Sequence, residues 1–366
     1  MLRFATLVGL ALLTVLTAFT VRLDREPVLP ETPYNYANIV LPEHFDGHAI
    51  RIADNTPTDN PITDEGATLG RVLFYDTRLS RNETTSCASC HHQDRAFSDP
   101  ARFSEGFEGV PTDRNSMGLA FARFYQNGRF FWDERAETLE HQVLMPIEDP
   151  VEMGLTMEEA VARLEATTFY PDLFEQAFGT PTVTPERMAK ALAQFVRSIV
   201  APNSRYDQGR PYQQGRAQPL PNFTEEENLG LKLFSGRALC SECHAGDLML
   251  NDRPLSNGLD VRPADQGAGA GRFKVPSLRN IELTAPYMHD GRFATLEEVV
   301  EHYNSGIQPH FALFASLRAP GLRSPIRMNL SEEEKAALVA FLKTLTDETL
   351  ATDPRWSDPF VDTADG

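Results

Sequence analysis

The hydrophobic positions of this chain repeat at helical rather than strand spacing. In one segment Thr184 can cap a helix and Pro185 suits its first position, and in another Ser331 and Glu334 can form a capping box. Long alternations of apolar and polar residues, which half-buried strands need, are scarce. The pattern therefore predicts a mostly helical protein of the all-α class. The apolar stripes of the two segments are Met188, Leu192, Phe195 and Ile199, and Leu338, Phe341, Leu342 and Leu345.

The two halves of the chain resemble each other. Residues 69–74 read LGRVLF and residues 229–234 read LGLKLF, and each run follows a helix start signal, at Thr63 and at Thr224. Each half then closes with one of the amphipathic helices described above. A repeat of this length indicates two similar domains.

The repeat and the composition divide the chain into five parts. Residues 205–223 are rich in Pro, Gly and Gln, which is typical of a linker. We predict an export or anchor segment at 1–22, an N-terminal domain at 23–204, a linker at 205–223, a C-terminal domain at 224–350 and a polar tail at 351–366.

The first residues have the pattern of an export signal. Arg3 precedes an apolar run from Leu7 to Val21, and no clear A-x-A cleavage site follows. The run is barely long enough to span a bilayer as a helix. A cleaved signal peptide and a short N-terminal anchor both remain open, and both predict export.

The charge of the chain restricts its partners. Its 366 residues include 52 acidic and 34 basic side chains, for a net charge of −18. Such a chain is a poor ligand for nucleic acid or for an anionic lipid surface. We therefore expect no nucleic-acid partner, and membrane contact only through residues 1–22.

The chain contains the motif Cys-x-x-Cys-His twice, and the two motifs use all four of its cysteines. In a c-type haem site the two thiols add to the porphyrin vinyl groups and the histidine ligates the iron. A four-cysteine zinc site would require the two pairs to converge, and like two disulfides it would leave both histidines unexplained. The motifs therefore predict two covalent c-type haems, one in each domain, and a periplasmic location. The residues are Cys87, Cys90, His91, Cys240, Cys243 and His244.

With these motifs in place, the chain resembles the bacterial di-haem cytochrome c peroxidase family, and within it the MauG-like branch, from about residue 61 to 346. The resemblance implies two cytochrome c-like domains. Besides the haem motifs, it rests on LGRVLFYD at 69–76, FWDERA at 131–136, PIEDPVEM at 146–153, FKVPSLRN at 273–280 and APYMHDG at 285–291.

The resemblance assigns roles around the first haem, which in this family reacts with peroxide. Glu152 matches the general acid–base that moves a proton between the peroxide oxygens, and Gln142 lines the same pocket. Trp132 matches a tryptophan that relays electrons between the haems. Conventional members close the resting first haem with a distal histidine, but that position is Phe107 here, which implies an open iron. Met117 remains open as an unforeseen ligand.

The resemblance also concerns the second haem. Tyr303 stands where conventional members have a methionine as the sixth iron ligand. Phenolate oxygen stabilises oxidised iron and lowers its reduction potential relative to methionine. The alternative is that His302 ligates the iron and Tyr303 packs in the helix.

A calcium ion binds between the haem domains in this family. The matching positions are Asn115, through its side chain, and Thr284 and Pro286, through their carbonyls. Oxygen donors completed by water suit Ca²⁺. His289 is expected to contact a haem propionate or the packed interface rather than iron.

Together these features predict an oxidoreductase that reacts with hydrogen peroxide, forms high-valent haem iron and oxidises a periplasmic partner protein. The alternative is a conventional cytochrome c peroxidase that takes electrons from a small cytochrome c or cupredoxin. A second alternative is a non-enzymatic di-haem electron carrier, which requires two protein ligands on both irons.

Overall fold

The computed structural model describes residues 25–213, 218–322 and 324–360, and most of its regular structure is helical. The predicted export segment lies outside the described residues. In the first half the helices are α1 (His48–Ala53), α2 (Asp64–Tyr75), α3 (Leu139–Gln142), α4 (Met145–Glu148), α5 (Met157–Glu165), α6 (Tyr170–Phe178) and α7 (Pro185–Ser198). In the second they are α8 (Arg205–Gly209), α9 (Glu225–Phe234), α10 (Leu296–Glu301) and α11 (Glu332–Lys343).

Helices α2 and α7 form the centre of the first half. Each begins at a threonine cap: the Thr63 side chain accepts a hydrogen bond from the Gly66 N–H, and the Thr184 side chain accepts one from Arg187. The helices cross so closely at Gly70 that a Cβ there would lie 2.0 Å from the carbonyl oxygen of Ala191. This contact is possible only for glycine, and it lets the apolar faces of both helices join one core.

Helices α9 and α11 repeat this arrangement in the second half. Thr224 and Ser331 each start a helix with a full capping box. At the crossing, a Cβ on Gly230 would lie 1.9 Å from the carbonyl oxygen of Ala337. The repeated Leu-Gly sequence thus marks the same helix crossing in both halves.

A small sheet departs from the all-α prediction. Strands β1 (Asn251–Leu255) and β2 (Phe273–Val275) pair antiparallel, with Asn251 opposite Val275 and Leu255 opposite Phe273. β1 reads NDRPL and lacks an apolar alternation, so its sequence carries no strand signal. The strands form because the two segments pair across the intervening loop, and not because their residues prefer extended structure.

The predicted linker and tail differ from the structure. Within 205–223, α8 forms and Tyr206, Leu220 and Phe223 are buried in the second core. Within 351–366, Trp356 is 1% exposed and belongs to the first core. These apolar residues stand singly in polar sequence, so no periodic pattern announces their burial.

The segment around Trp356 therefore packs against the first half. The hydroxyl of Tyr36 donates to the carbonyl of Arg355 at 2.5 Å, and the hydroxyl of Tyr75 donates to the carbonyl of Trp356 at 2.6 Å. The segment closes the outer side of α2. In the described part of the chain, no helix is both long and apolar enough to cross a membrane.

Replacing Gly70 with alanine should destabilise the first half, because the added methyl group would meet the Ala191 backbone rather than a flexible side chain. Overpacking of this kind typically costs about 1–3 kcal/mol. Thermal unfolding of the Gly70→Ala protein should give a lower Tm than wild type. Gly47→Ala is the matched control, since nothing lies within 4 Å of a Cβ there. Equal losses of stability in both variants would contradict the close crossing.

Candidate haem sites

The first Cys-x-x-Cys-His motif lies on a cavity of about 750 Å³ that is lined mostly by the N-terminal half of the chain. Cys87–Ser89 forms a 3-10 turn, and the N–H of His91 donates to the carbonyl of Cys87 at 3.0 Å. The Nδ1 of His91 lies 2.7 Å from the carbonyl oxygen of Phe97, which can only accept a hydrogen bond. Nδ1 therefore carries the proton in the neutral ring, and Nε2 keeps the lone pair that a metal needs. Burial lowers the pKa of His91, which favours this neutral form.

The second motif has the same local geometry in a narrower cavity of about 220 Å³. Cys240–Glu242 forms the 3-10 turn, and the Nδ1 of His244 lies 3.1 Å from the carbonyl oxygen of Met249. Burial lowers the pKa of His244 to about 4, so the ring is neutral at physiological pH. Both motifs thus present two thiols and one imidazole to an apolar cavity, which fits a covalently attached haem.

The cysteines do not support the zinc or disulfide interpretations. Cys87 and Cys90 line one cavity, whereas Cys240 and Cys243 line the other. No disulfide joins any of them. A four-cysteine site needs one point of convergence, which this arrangement does not provide.

Glu152 and Gln142 both line the first cavity. Burial raises the pKa of Glu152 to about 7, and the nearby Asp149 carboxylate adds to the effect, while the Arg135 guanidinium opposes it. Burial, and to a smaller extent the Glu152 charge, raises the pKa of Cys87 and Cys90. The carboxyl group therefore lies near the haem attachment point, with a pKa suited to taking and returning a proton.

Phe107 packs against other residues and does not act as an iron ligand. Its N–H donates to the carbonyl of Glu152 at 3.0 Å, and its ring lies under the Arg81 guanidinium. The ring also fills the space beside Gly154, where a Cβ would lie 2.5 Å from it. A phenyl ring carries no metal-ligating atom, so this position leaves the cavity open. Met117 does line both cavities.

Tyr303 and His302 point in different directions. Both lie in a π-helical turn, His302–Gly306, that continues α10. Tyr303 lines the second cavity, and its hydroxyl lies 3.4 Å from the Asn257 amide nitrogen. The Nε2 of His302 lies 3.1 Å from the carbonyl oxygen of Asn257, and His302 is not among the cavity residues. π-helical turns often occur at functional sites. In this one, the Tyr303 side chain points into the second cavity.

A wall of polypeptide separates the two cavities. Trp132 and Asn115 line both of them, and the indole N–H of Trp132 donates to the carbonyl of Asn115 at 2.8 Å. The indole ring is thereby held between the haem sites. This is the location that a relay residue requires.

The three proposed calcium positions border one cavity. Asn115, Thr284 and Pro286 all line the second cavity. The Asn115 amide nitrogen donates to the carbonyls of Ala101 and Arg102, at 3.1 and 3.2 Å. Its Oδ1 therefore stays available to a cation, and this oxygen donor fits calcium. His289 packs at the interface, its ring stacked on Phe273 at 3.6 Å between centroids.

Several site residues were missed by the sequence reasoning. Met288 lines the second cavity, and its sulfur lies 3.4 Å from the same Asn257 amide nitrogen as the Tyr303 hydroxyl. Lys274 is buried and lines both cavities. Both occur within the quoted sequence blocks, but nothing in a linear sequence shows which way they face.

Comparison with known proteins agrees with this geometry. Residues 64–216 match the family model described as di-haem cytochrome c peroxidase. The methylamine utilization protein MauG of Methylorubrum extorquens is 35% identical over 308 residues, 81% of this chain and 82% of that protein. The cytochrome c551 peroxidase of Nitrosomonas europaea is 33% identical, covering 78% of this chain and 81% of that protein.

Solved structures give the same result. The crystal structure of a MauG-like protein associated with microbial copper homeostasis is 36% identical, with a TM-score of 0.71, and the match covers 91% of this chain and all of that one. The diheme peroxidase BthA from Burkholderia thailandensis E264, at 23% identity and a TM-score of 0.65, shares the fold over 83% of this chain and 91% of its own.

The fold and the two attachment sites define a di-haem peroxidase-type oxidoreductase. The chain belongs to the di-haem cytochrome c peroxidase family, as its sequence motifs predicted.

Replacing Glu152 with glutamine should slow the reaction with hydrogen peroxide by roughly 10²-fold, because the variant keeps the size of the side chain but loses the base. In wild type the rate should rise with pH through about 7, as Glu152 ionises. Stopped-flow absorbance of the haem bands measures both effects. The exposed Glu148→Gln is the matched control. Unchanged kinetics in Glu152→Gln, at full haem content, would remove Glu152 from the reaction.

Proposed function

We propose that this protein reacts with hydrogen peroxide at the first haem site and oxidises a partner protein through the second, in the manner of the MauG-like branch. The observation that carries this proposal is the position of Tyr303. Its hydroxyl lies in the second cavity with His244, while His302 turns to a backbone carbonyl. His244 and Tyr303 would then hold the second haem iron, and His91 alone the first.

The side chain that ligates the second haem iron determines how easily that haem is oxidised. When bound, the two haems supply peroxide O–O cleavage and storage of two oxidising equivalents. A phenolate, as a hard anionic donor, favours oxidised iron more than a thioether does. Burial raises the pKa of Tyr303, so a bound metal ion is needed to displace its proton. A lower potential would make the second centre easier to oxidise, so it suits storage of an oxidising equivalent until the partner protein is in place.

The first site supplies the proton transfer. Glu152 takes the proton from the peroxide oxygen nearer to the haem iron and returns it to the oxygen farther away. Protonation makes the farther oxygen a better leaving group. Gln142 lines the same space and can orient peroxide by hydrogen bonding. Phe107 contributes no competing ligand. Trp132, held between the cavities, carries electrons between the two sites.

Location, calcium and partner complete the proposal. Covalent haem attachment and the apolar run in residues 1–22 favour the periplasm, with the run cleaved or kept as an anchor. One calcium ion at Asn115, Thr284 and Pro286 would brace the wall between the haems. The substrates would be hydrogen peroxide and a periplasmic protein.

A conventional peroxidase is the second candidate function, and one observation favours it. The sulfur of Met288 lies near the same Asn257 amide as the Tyr303 hydroxyl, so a thioether is also within the second cavity. The relative from Nitrosomonas europaea is named for a cytochrome c551 peroxidase activity. In that case the electrons would come from a small cytochrome c or a cupredoxin.

The resting ferric protein should contain one high-spin and one low-spin haem, because the proposal gives the second iron two protein ligands, His244 and Tyr303, and the first iron only His91. EPR and absorbance spectra of the fully oxidised protein measure this directly. Two low-spin haems would instead favour the electron-carrier alternative.

Tyr303→Phe and Met288→Leu separate the two enzyme functions. If the phenolate ligates the iron, Tyr303→Phe should change the spectrum of the second haem and stop partner oxidation, while Met288→Leu leaves the spectrum as it is. Tyr287→Phe is the matched control, since Tyr287 lines the same cavity but donates to the carbonyl of Ile281. A spectrum that changes only in Met288→Leu would establish the conventional peroxidase instead.

A further inference from the structure

A buried tyrosine, Tyr125, lies in the wall of the first cavity and is hydrogen-bonded to a buried carboxylate, Glu134. Tyr125 is 2% exposed and Glu134 is 8% exposed. Tyr125 lines the first cavity together with Trp132. Tyr125 therefore borders the cavity that also contains the first Cys-x-x-Cys-His motif.

The hydrogen bonds around Glu134 define its role toward Tyr125. The Tyr125 hydroxyl donates to Glu134 Oε1, and the amide nitrogen of Asn127 donates to Oε2 at 3.1 Å. Each carboxylate oxygen therefore receives a donor, which suits an ionised group that only accepts. Tyr125 thus has a proton acceptor already in contact.

The backbone at Glu134 is unusual. Its φ is +56°, a left-handed conformation that side chains with a Cβ rarely adopt. The carbonyl of Glu134 also accepts a hydrogen bond from Arg129 Nε at 3.1 Å. The carboxylate is thus held under the tyrosine at an energetic cost, a situation that is common at functional sites.

A third residue, Lys274, affects how readily the Tyr125 ring can carry positive charge. The Nζ of Lys274 lies 3.3 Å from the ring centroid of Tyr125 and donates to the carbonyl of Arg129 at 2.9 Å. Burial lowers the pKa of Lys274 to about 7, so near neutral pH part of the protein carries an ammonium group over the ring face, where it opposes positive charge on the ring. An electron can therefore leave Tyr125 readily only if the phenolic proton leaves as well, and Glu134 is placed to take it.

We propose that Tyr125 is a redox-active residue whose oxidation is coupled to proton transfer to Glu134. One electron passes from Tyr125 to the peroxide-oxidised haem centre, which is reduced by one equivalent. The phenolic proton moves along the existing hydrogen bond to Glu134 Oε1. The products are a neutral tyrosyl radical and a neutral carboxylic acid. The reverse transfer of one electron and the same proton restores the pair.

This pair would hold one oxidising equivalent beside the first cavity until a reductant arrives. The proposal rests on the proposed function, which supplies the oxidant. A second tyrosine–carboxylate pair provides a comparison: the hydroxyl of Tyr170 donates to Asp76 at 2.7 Å, but Tyr170 is not among the residues that line either cavity.

The test is freeze-quench EPR of the full di-haem protein after mixing with hydrogen peroxide. Wild type should give an organic radical signal that narrows when the protein contains ring-deuterated tyrosine. Tyr125→Phe should abolish this signal. Glu134→Gln keeps the phenol but removes the base, so radical formation should slow by roughly tenfold or more. Tyr170→Phe is the matched control and should keep the signal.

Absorbance of the haem bands in the same samples separates this inference from the proposed function. If the haem bands respond to peroxide but wild type gives no tyrosine-derived signal, or Tyr125→Phe keeps it, the inference is wrong and the proposed function stands. A normal rate of radical formation in Glu134→Gln would likewise overturn the assigned proton acceptor. Absence of any haem response would overturn both.

Discussion

Each half of this protein depends on two helices that cross at a glycine. Gly70 lets α2 approach the backbone of Ala191, and Gly230 lets α9 approach Ala337. Any side chain at these positions would separate the helices and open the core beneath them. Since each haem motif follows shortly after the first helix of its pair, the crossing also determines where the thiols and imidazole lie. The same contact, used twice, makes two similar haem sites.

The wall between the sites links the two halves. The indole N–H of Trp132 donates to the Asn115 carbonyl, and the N–H of Lys274 donates to the Trp132 carbonyl at 2.8 Å. These bonds join segments from both halves of the chain and hold an aromatic ring between the cavities. The proposed electron transfer between the sites and the proposed calcium site therefore both involve this one hydrogen-bonded region.

The two haem sites are similar, but the residues that face each motif give the two sites different chemistry. In the first cavity burial raises the pKa of Glu152 to about 7, which suits proton transfer. In the second, a π-turn directs the Tyr303 hydroxyl inward. Neither residue belongs to the repeated helix pair. The repeated helix pair supplies two haem sites, and residues outside that pair make them different.

Local signals in the sequence determined the helical class, the capped helices that flank each motif, and the two haem-attachment motifs, because caps and Cys-x-x-Cys-His act over a few residues. The family resemblance supplied Glu152 and Tyr303, which local patterns alone would leave as an ordinary acid and a helix tyrosine. Only the tertiary structure decided that Trp356 returns to the first core and that Tyr125, Glu134 and Lys274 meet. Their positions depend on contacts between segments distant in sequence, and no local periodicity records such contacts.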